Sequence, residues 1–83
     1  MACWEFYPGQ WTHSFTSMGD SVFVNINEAI SNCTALGSDD CGAVLYDGID
    51  SAYLRKETDL HGESNSSISM GSWIRKHNQN RQC

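Results

Sequence analysis

Cys3, Cys33, Cys41 and Cys83 carry the clearest chemistry in this chain. Zinc ribbons and thioredoxin-like redox sites need cysteines in C-x-x-C pairs, and no such pair stands here. An even set of cysteines in a short chain reads instead as a disulfide framework, which supplements a small core in oxidising compartments. The four cysteines permit three connectivities, and counting does not choose among them. Local spacing favours one. Cys33 and Cys41 flank TALGSDD, a turn-rich segment able to bring two adjacent elements together, while Cys3 and Cys83 stand at opposite ends of the chain. On loop-entropy grounds each bridge contributes roughly 2–4 kcal/mol.

The other reactive side chains are scattered. His13, His61 and His77 show no pair at a ligand spacing of three or four, and none of G-x-S-x-G, H-E-x-x-H, the P-loop or G-x-G-x-x-G occurs. The serines lack any local context that would activate them, so no catalytic residue, cofactor or metal site is expected. Asp39-Asp40 and Asp47-x-x-Asp50 bracket the strand-like CGAVLY. An extended run of that length spans roughly 20 Å, too far for both acid pairs to share one ion, and they read as turn residues.

The basic pairs Arg55-Lys56 and Arg75-Lys76 place one cation on each face of their strands. Were those strands neighbours, two cations would converge into a small anion site for sulfate, sialic acid or an acidic partner; the plainer reading is solvated strand ends. Trp11, just after Pro8-Gly9, is either core or an exposed anchor for a glycan or a protein partner. Two N-x-[ST] sequons are present, Asn32-Cys33-Thr34 and Asn65-Ser66-Ser67. The first has a cysteine expected in a packed bridge at its centre, so Asn65, in a polar Ser-rich loop, is the better glycan acceptor.

The elements that must position these groups fit one domain over residues 1–83. Hydrophobic residues are 40% of the chain and aromatics 11%, too rich for disorder. Residues 25–37, NINEAISNCTALG, have apolar positions at helical spacing, with Asn25 and Glu28 as a capping box and Gly37 as the terminating residue. Short β-rich runs follow at 41–46 and 51–56, joined by the DGID turn, and others stand at 3–7, 21–24 and 73–76. HGESNSSISMGS, residues 61–72, is polar and reads as a mobile loop. The sum is an α+β domain.

Five basic against ten acidic residues give a net charge of −5, which argues against nucleic acid as a partner. Every basic residue lies beyond Leu54, so the charge is polarised along the chain. No apolar run approaches the roughly 20 residues that cross a bilayer, so membrane insertion is not expected. The first residues lack the pattern of a signal peptide, as expected of a mature protein whose leader has been removed or of a domain from a larger multidomain protein.

In its order of features the chain resembles the PAN/apple family. The residues that carry the resemblance are Cys3, Glu28-Ala29, Cys33, Cys41-Gly42, Tyr46, Tyr53-Leu54-Arg55, Trp73 and Cys83. It implies an antiparallel sheet of about five strands cradling a single helix, stapled by two disulfides, one tying helix to central strand and one joining the domain ends. It also implies a secreted or cell-surface, non-catalytic module that binds extracellular proteins or glycans in adhesion or recognition. Many family members carry an additional helix-to-sheet bridge that is absent here. The alternative is a small stand-alone secreted toxin, inhibitor or defence factor acting through its surface loops, chiefly 61–72.

Overall fold

The computed structural model describes residues 2–19 and 21–77. Five strands and one helix follow in the order β1 (Ala2–Pro8), β2 (Val22–Phe23), α1 (Ile26–Leu36), β3 (Ala43–Tyr46), β4 (Ala52–Arg55) and β5 (Gly71–His77). The strands form one antiparallel sheet in the order β1-β5-β3-β4-β2. The α+β expectation of about five antiparallel strands and one helix is met.

Helix α1 begins and ends where its sequence directs. The Asn25 side chain accepts hydrogen bonds from the Asn27 and Glu28 backbone N–H groups, satisfying two of the donors that a helix start leaves unpaired. At the other end Gly37 adopts φ 90°, which an L side chain resists, and its carbonyl accepts from the Asp40 and Cys41 N–H groups. That turn delivers Cys41 back against the helix. The Cys33–Cys41 disulfide closes there, with Cα atoms 5.3 Å apart. Of the two expected bridges this one is found; Cys83, one end of the other, lies outside the described residues.

Residues directly opposite in the sheet share a face, and successive residues alternate. Register therefore puts Phe6, Trp73, Val44 and Leu54 on one face, together with Tyr46 and Ala52. Helix α1 packs on this face: Ala29 and Cys33 join Cys41, Val44, Ala52 and Leu54 in the core, ringed by Trp4, Phe23, Ile26, Ile30, Leu36, Tyr46 and Trp73. Phe6 and Trp73 meet as a cross-strand pair with ring centroids 5.0 Å apart.

The opposite face carries Tyr7, Ser72, Leu45 and Tyr53 in one row, and Glu5, Ile74, Ala43 and Arg55 in the next. Since β1 and β2 form opposite edges of the sheet, the chain between them must cross one face, and α1 occupies the other. Segment 9–19 is that crossing. It is fastened by Gly9 N–H to Met70 O (2.7 Å), Lys56 N–H to Ser14 O (2.8 Å), and the buried Thr12 and Ser72 hydroxyls at 3.2 Å. Ala43, Ser72 and Ile74 are consequently buried on the face away from the helix. The sheet is covered on both sides, which is why β3 is apolar at successive positions.

Two boundaries stand out against the sequence reading, and so does the fastening of one loop. The regular part of CGAVLY begins at Ala43, because Cys41 and Gly42 are occupied by the disulfide turn. The polar loop expected to run to residue 72 ends at 70, as Gly71 and Ser72 already pair with Tyr46 and Leu45. That loop is also tied down: Asn65 N–H donates to Pro8 O, and Trp11 and His61 exchange two backbone hydrogen bonds.

Candidate functional site

The crossing segment leaves an open cleft of about 430 Å³ beside the sheet, lined by Trp11, Thr12, His13, Ser14, Phe15, Leu45 and Arg55. The backbone pairing of Trp11 with His61 fixes its near wall. Gly62 then passes directly beneath the indole: a Cβ added there would collide with its six-membered ring, 2.8 Å from Cε3. Trp11 is thus held in place yet 39% exposed.

The Trp11 indole N–H donates to His13 Nε2 at 3.2 Å, so the proton of a neutral His13 ring lies on Nδ1. His13 in turn meets His61 edge to face, ring centroids 4.3 Å apart. Ser14 turns the chain with φ 73°, a left-handed conformation that costs a non-glycine residue about 1–2 kcal/mol. The Lys56 bond to its carbonyl helps to hold it. Phe15 follows, 58% exposed.

Arg55 supplies the charge. It lies at the end of β4 on the crossing-segment face, its guanidinium carbon 5.3 Å from the Phe15 ring centroid and 5.4 Å from that of Tyr53. Both rings are within cation–π range of the guanidinium, and one N–H donates to Leu54 O at 3.3 Å. The guanidinium makes no further hydrogen bond among the described residues, and its remaining donors suit an anion in bidentate geometry. The cleft thus gathers the Trp11 and Phe15 rings, the His13 imidazole and the Arg55 cation, with His61 behind His13.

The other basic candidates go elsewhere. Strand β3 lies between β4 and β5, so the two basic pairs are not on neighbouring strands, and Arg55 and Arg75 project from opposite faces. The condition for a convergent anion site is therefore not met. Arg75 is on the helix side, donating to Thr34 O (3.1 Å) and Cys41 O (3.2 Å) with its guanidinium 5.7 Å from the Trp4 ring centroid. Its Nε is buried without a partner among the described residues. Lys76 lies 5.2 Å from the Tyr7 ring centroid, and the Lys56 side chain is exposed.

The acidic residues serve as clasps. Asp47 Oδ1 accepts from the Ile49, Asp50 and Ser51 N–H groups of the DGID turn, which lowers its pKa. Asp40 accepts from the Ser17 hydroxyl and, at 2.9 Å, from its backbone N–H; those bonds lower its pKa and tie the crossing segment to the start of β3. Among the described residues no group of three His, Cys, Asp or Glu side chains could hold a metal ion, and no helix is long and apolar enough to cross a membrane.

Sequence reasoning singled out Trp11 and Arg55 but did not join them, and it missed the pairing of His13 with His61. Sequence separation hides that pair: only the backbone bridge between Trp11 and His61 brings the two segments together. Phe15 carried no signal at all, because the crossing segment has no period to interpret. No protein-family model matches the chain, and neither does a curated protein or a solved structure.

Proposed function

We propose that this chain is a non-catalytic extracellular recognition module of PAN/apple type, and that its cleft binds a saccharide bearing a carboxylate or sulfate group. The observation that carries the reading is the grouping of an exposed, immobilised Trp11 with an aromatic-flanked Arg55 in one open cleft. A pyranose offers an apolar face to an indole and a ring of hydroxyls to polar neighbours. An anionic substituent supplies the partner for the guanidinium. The His13 ring, whose Nε2 accepts from the Trp11 indole, lies beside it as a polar neighbour for the sugar hydroxyls.

An α+β sheet with a helix bridged to its central region supports the family reading. The register supports its second bridge: Cys3 lies opposite Lys76, so the first strand runs alongside the segment that leads to Cys83. We infer a Cys3–Cys83 disulfide from that arrangement. Buried cystine also favours a secretory route and an extracellular location.

The test is a glycan array spanning neutral, sialylated, uronic-acid and sulfated oligosaccharides, probed with the wild type and with Trp11→Ala, Arg55→Gln and the distant Ile49→Ser. Binding to acidic glycans, lost in the first two variants and kept in the third, is the expected pattern. Capture of an extracellular protein through the same residues, with no glycan bound, would replace the ligand class.

A further inference from the structure

We propose that Asn65 is an N-glycan acceptor and that Asn32 is not, although each opens an N-x-[ST] sequon. A sequon is used only where its asparagine amide can be reached and its third-position hydroxyl can serve the acceptor. The two sites differ on both counts.

At residues 65–67 the chain forms a turn on the exposed loop. Asn65 Oδ1 accepts from the Ser67 backbone N–H at 3.1 Å and from the Ser67 hydroxyl at 2.6 Å. Both donors fall on the carbonyl oxygen, polarising the amide, and no hydrogen bond occupies Nδ2 among the described residues. Asn65, Ser66 and Ser67 are all exposed. The turn is also held in place: Asn65 N–H donates to Pro8 O at 3.0 Å, and the backbone passes so close to Gly9 that a Cβ there would lie 2.8 Å from Asn65 N. The acceptor is fixed at its base and open at its tip.

At residues 32–34 the same triplet lies on α1. Asn32 Nδ2 already donates to Glu28 O at 2.9 Å, and the Thr34 hydroxyl donates to Ile30 O at 2.8 Å. Cys33 between them is fully buried and bridged to Cys41. Both the amide and the hydroxyl are engaged with helix carbonyls, and the buried, bridged Cys33 between them holds the triplet in the helix.

In the modification, Asn65 Nδ2 bonds to the anomeric carbon of an oligosaccharide carried on a lipid pyrophosphate. The anomeric C–O bond breaks with its electron pair remaining on the pyrophosphate, and the proton lost from Nδ2 passes to a base on the secretory-pathway transferase. The product is an amide-linked glycan on the loop whose residue 61 pairs with Trp11 of the cleft wall.

The experiment is secretion of the full chain from a eukaryotic cell line behind a heterologous leader, followed by intact-mass analysis with and without glycosidase and by peptide mapping. One glycan, at Asn65, is expected; it is lost in Asn65→Gln and in Ser66→Pro, and retained in Asn32→Gln. Preservation of the Cys33–Cys41 peptide link in each variant shows that loss of the glycan is not loss of the fold. Secreted, correctly bridged protein bare at Asn65, or carrying its glycan at Asn32, would overturn the proposal.

Discussion

Arg55 at the end of β4 and Arg75 within β5 carry the same side chain, yet they have opposite uses, and the cause is which face each one meets. Arg75 projects over the end of α1 and donates to the carbonyls of Thr34, in the last turn of the helix, and of Cys41, in the disulfide turn beyond it. Replacing it with alanine removes two charge-assisted hydrogen bonds from a partly buried position. Arg75→Ala should therefore destabilise the fold by about 1.5–3 kcal/mol in urea unfolding. Arg75→Lys should recover only part of this, since an ammonium cannot span both carbonyls as a guanidinium does. Arg55→Gln, at the cleft, should stay within about 0.5 kcal/mol of wild type and should change binding instead. Equal destabilisation by both substitutions would contradict the division. The sequence made the four basic residues equivalent, because alternation along a strand is legible while the identity of the neighbouring strand is not.

At the scale of elements, the strongest local signals are the ones that decide the structure. Asn25 and Gly37 bound the helix as capping chemistry requires, and Asn25→Ala should cost about 1 kcal/mol. The DGID turn is organised by Asp47, whose carboxylate accepts three backbone N–H groups. Those bonds favour the charged form, so its pKa is lower folded than unfolded. Its contribution to stability is complete above the unfolded value near 3.9 and is lost as pH falls through the lowered folded value. Asp40, held down by Ser17, acts in the same direction. Thermal melts between pH 2 and 6 should show a falling acid limb that flattens in Asp47→Asn, which keeps an acceptor oxygen but no titrating group. An unchanged limb would mean that other carboxylates dominate. Strand order was not legible, since pairing between β5 and β3 depends on contacts far apart in sequence that no local pattern encodes.

For the molecule as a whole, the sheet is a middle layer between α1 and the crossing segment. The helix layer could be read from its period; the crossing segment could not, because it is irregular and its buried Thr12 is satisfied only by pairing with Ser72 of a distant strand. Trp11 shows the same limit: its type made it a candidate, but its exposure depends on Gly62 and His61, roughly fifty positions away. The Cys33–Cys41 bridge joins the helix layer to the sheet. Replacing both cysteines with alanine should lower stability by about 2–3 kcal/mol in chemical denaturation, in keeping with its short loop. The crossing segment is secured separately, so the cleft should survive in the folded fraction. The most direct test of the central claim is calorimetric titration of the secreted chain with a sialylated or sulfated oligosaccharide and with its neutral counterpart. The acidic ligand should bind, with affinity reduced about tenfold or more in both Trp11→Ala and Arg55→Gln. Equal binding of the neutral sugar, or full binding by the two variants, would contradict it.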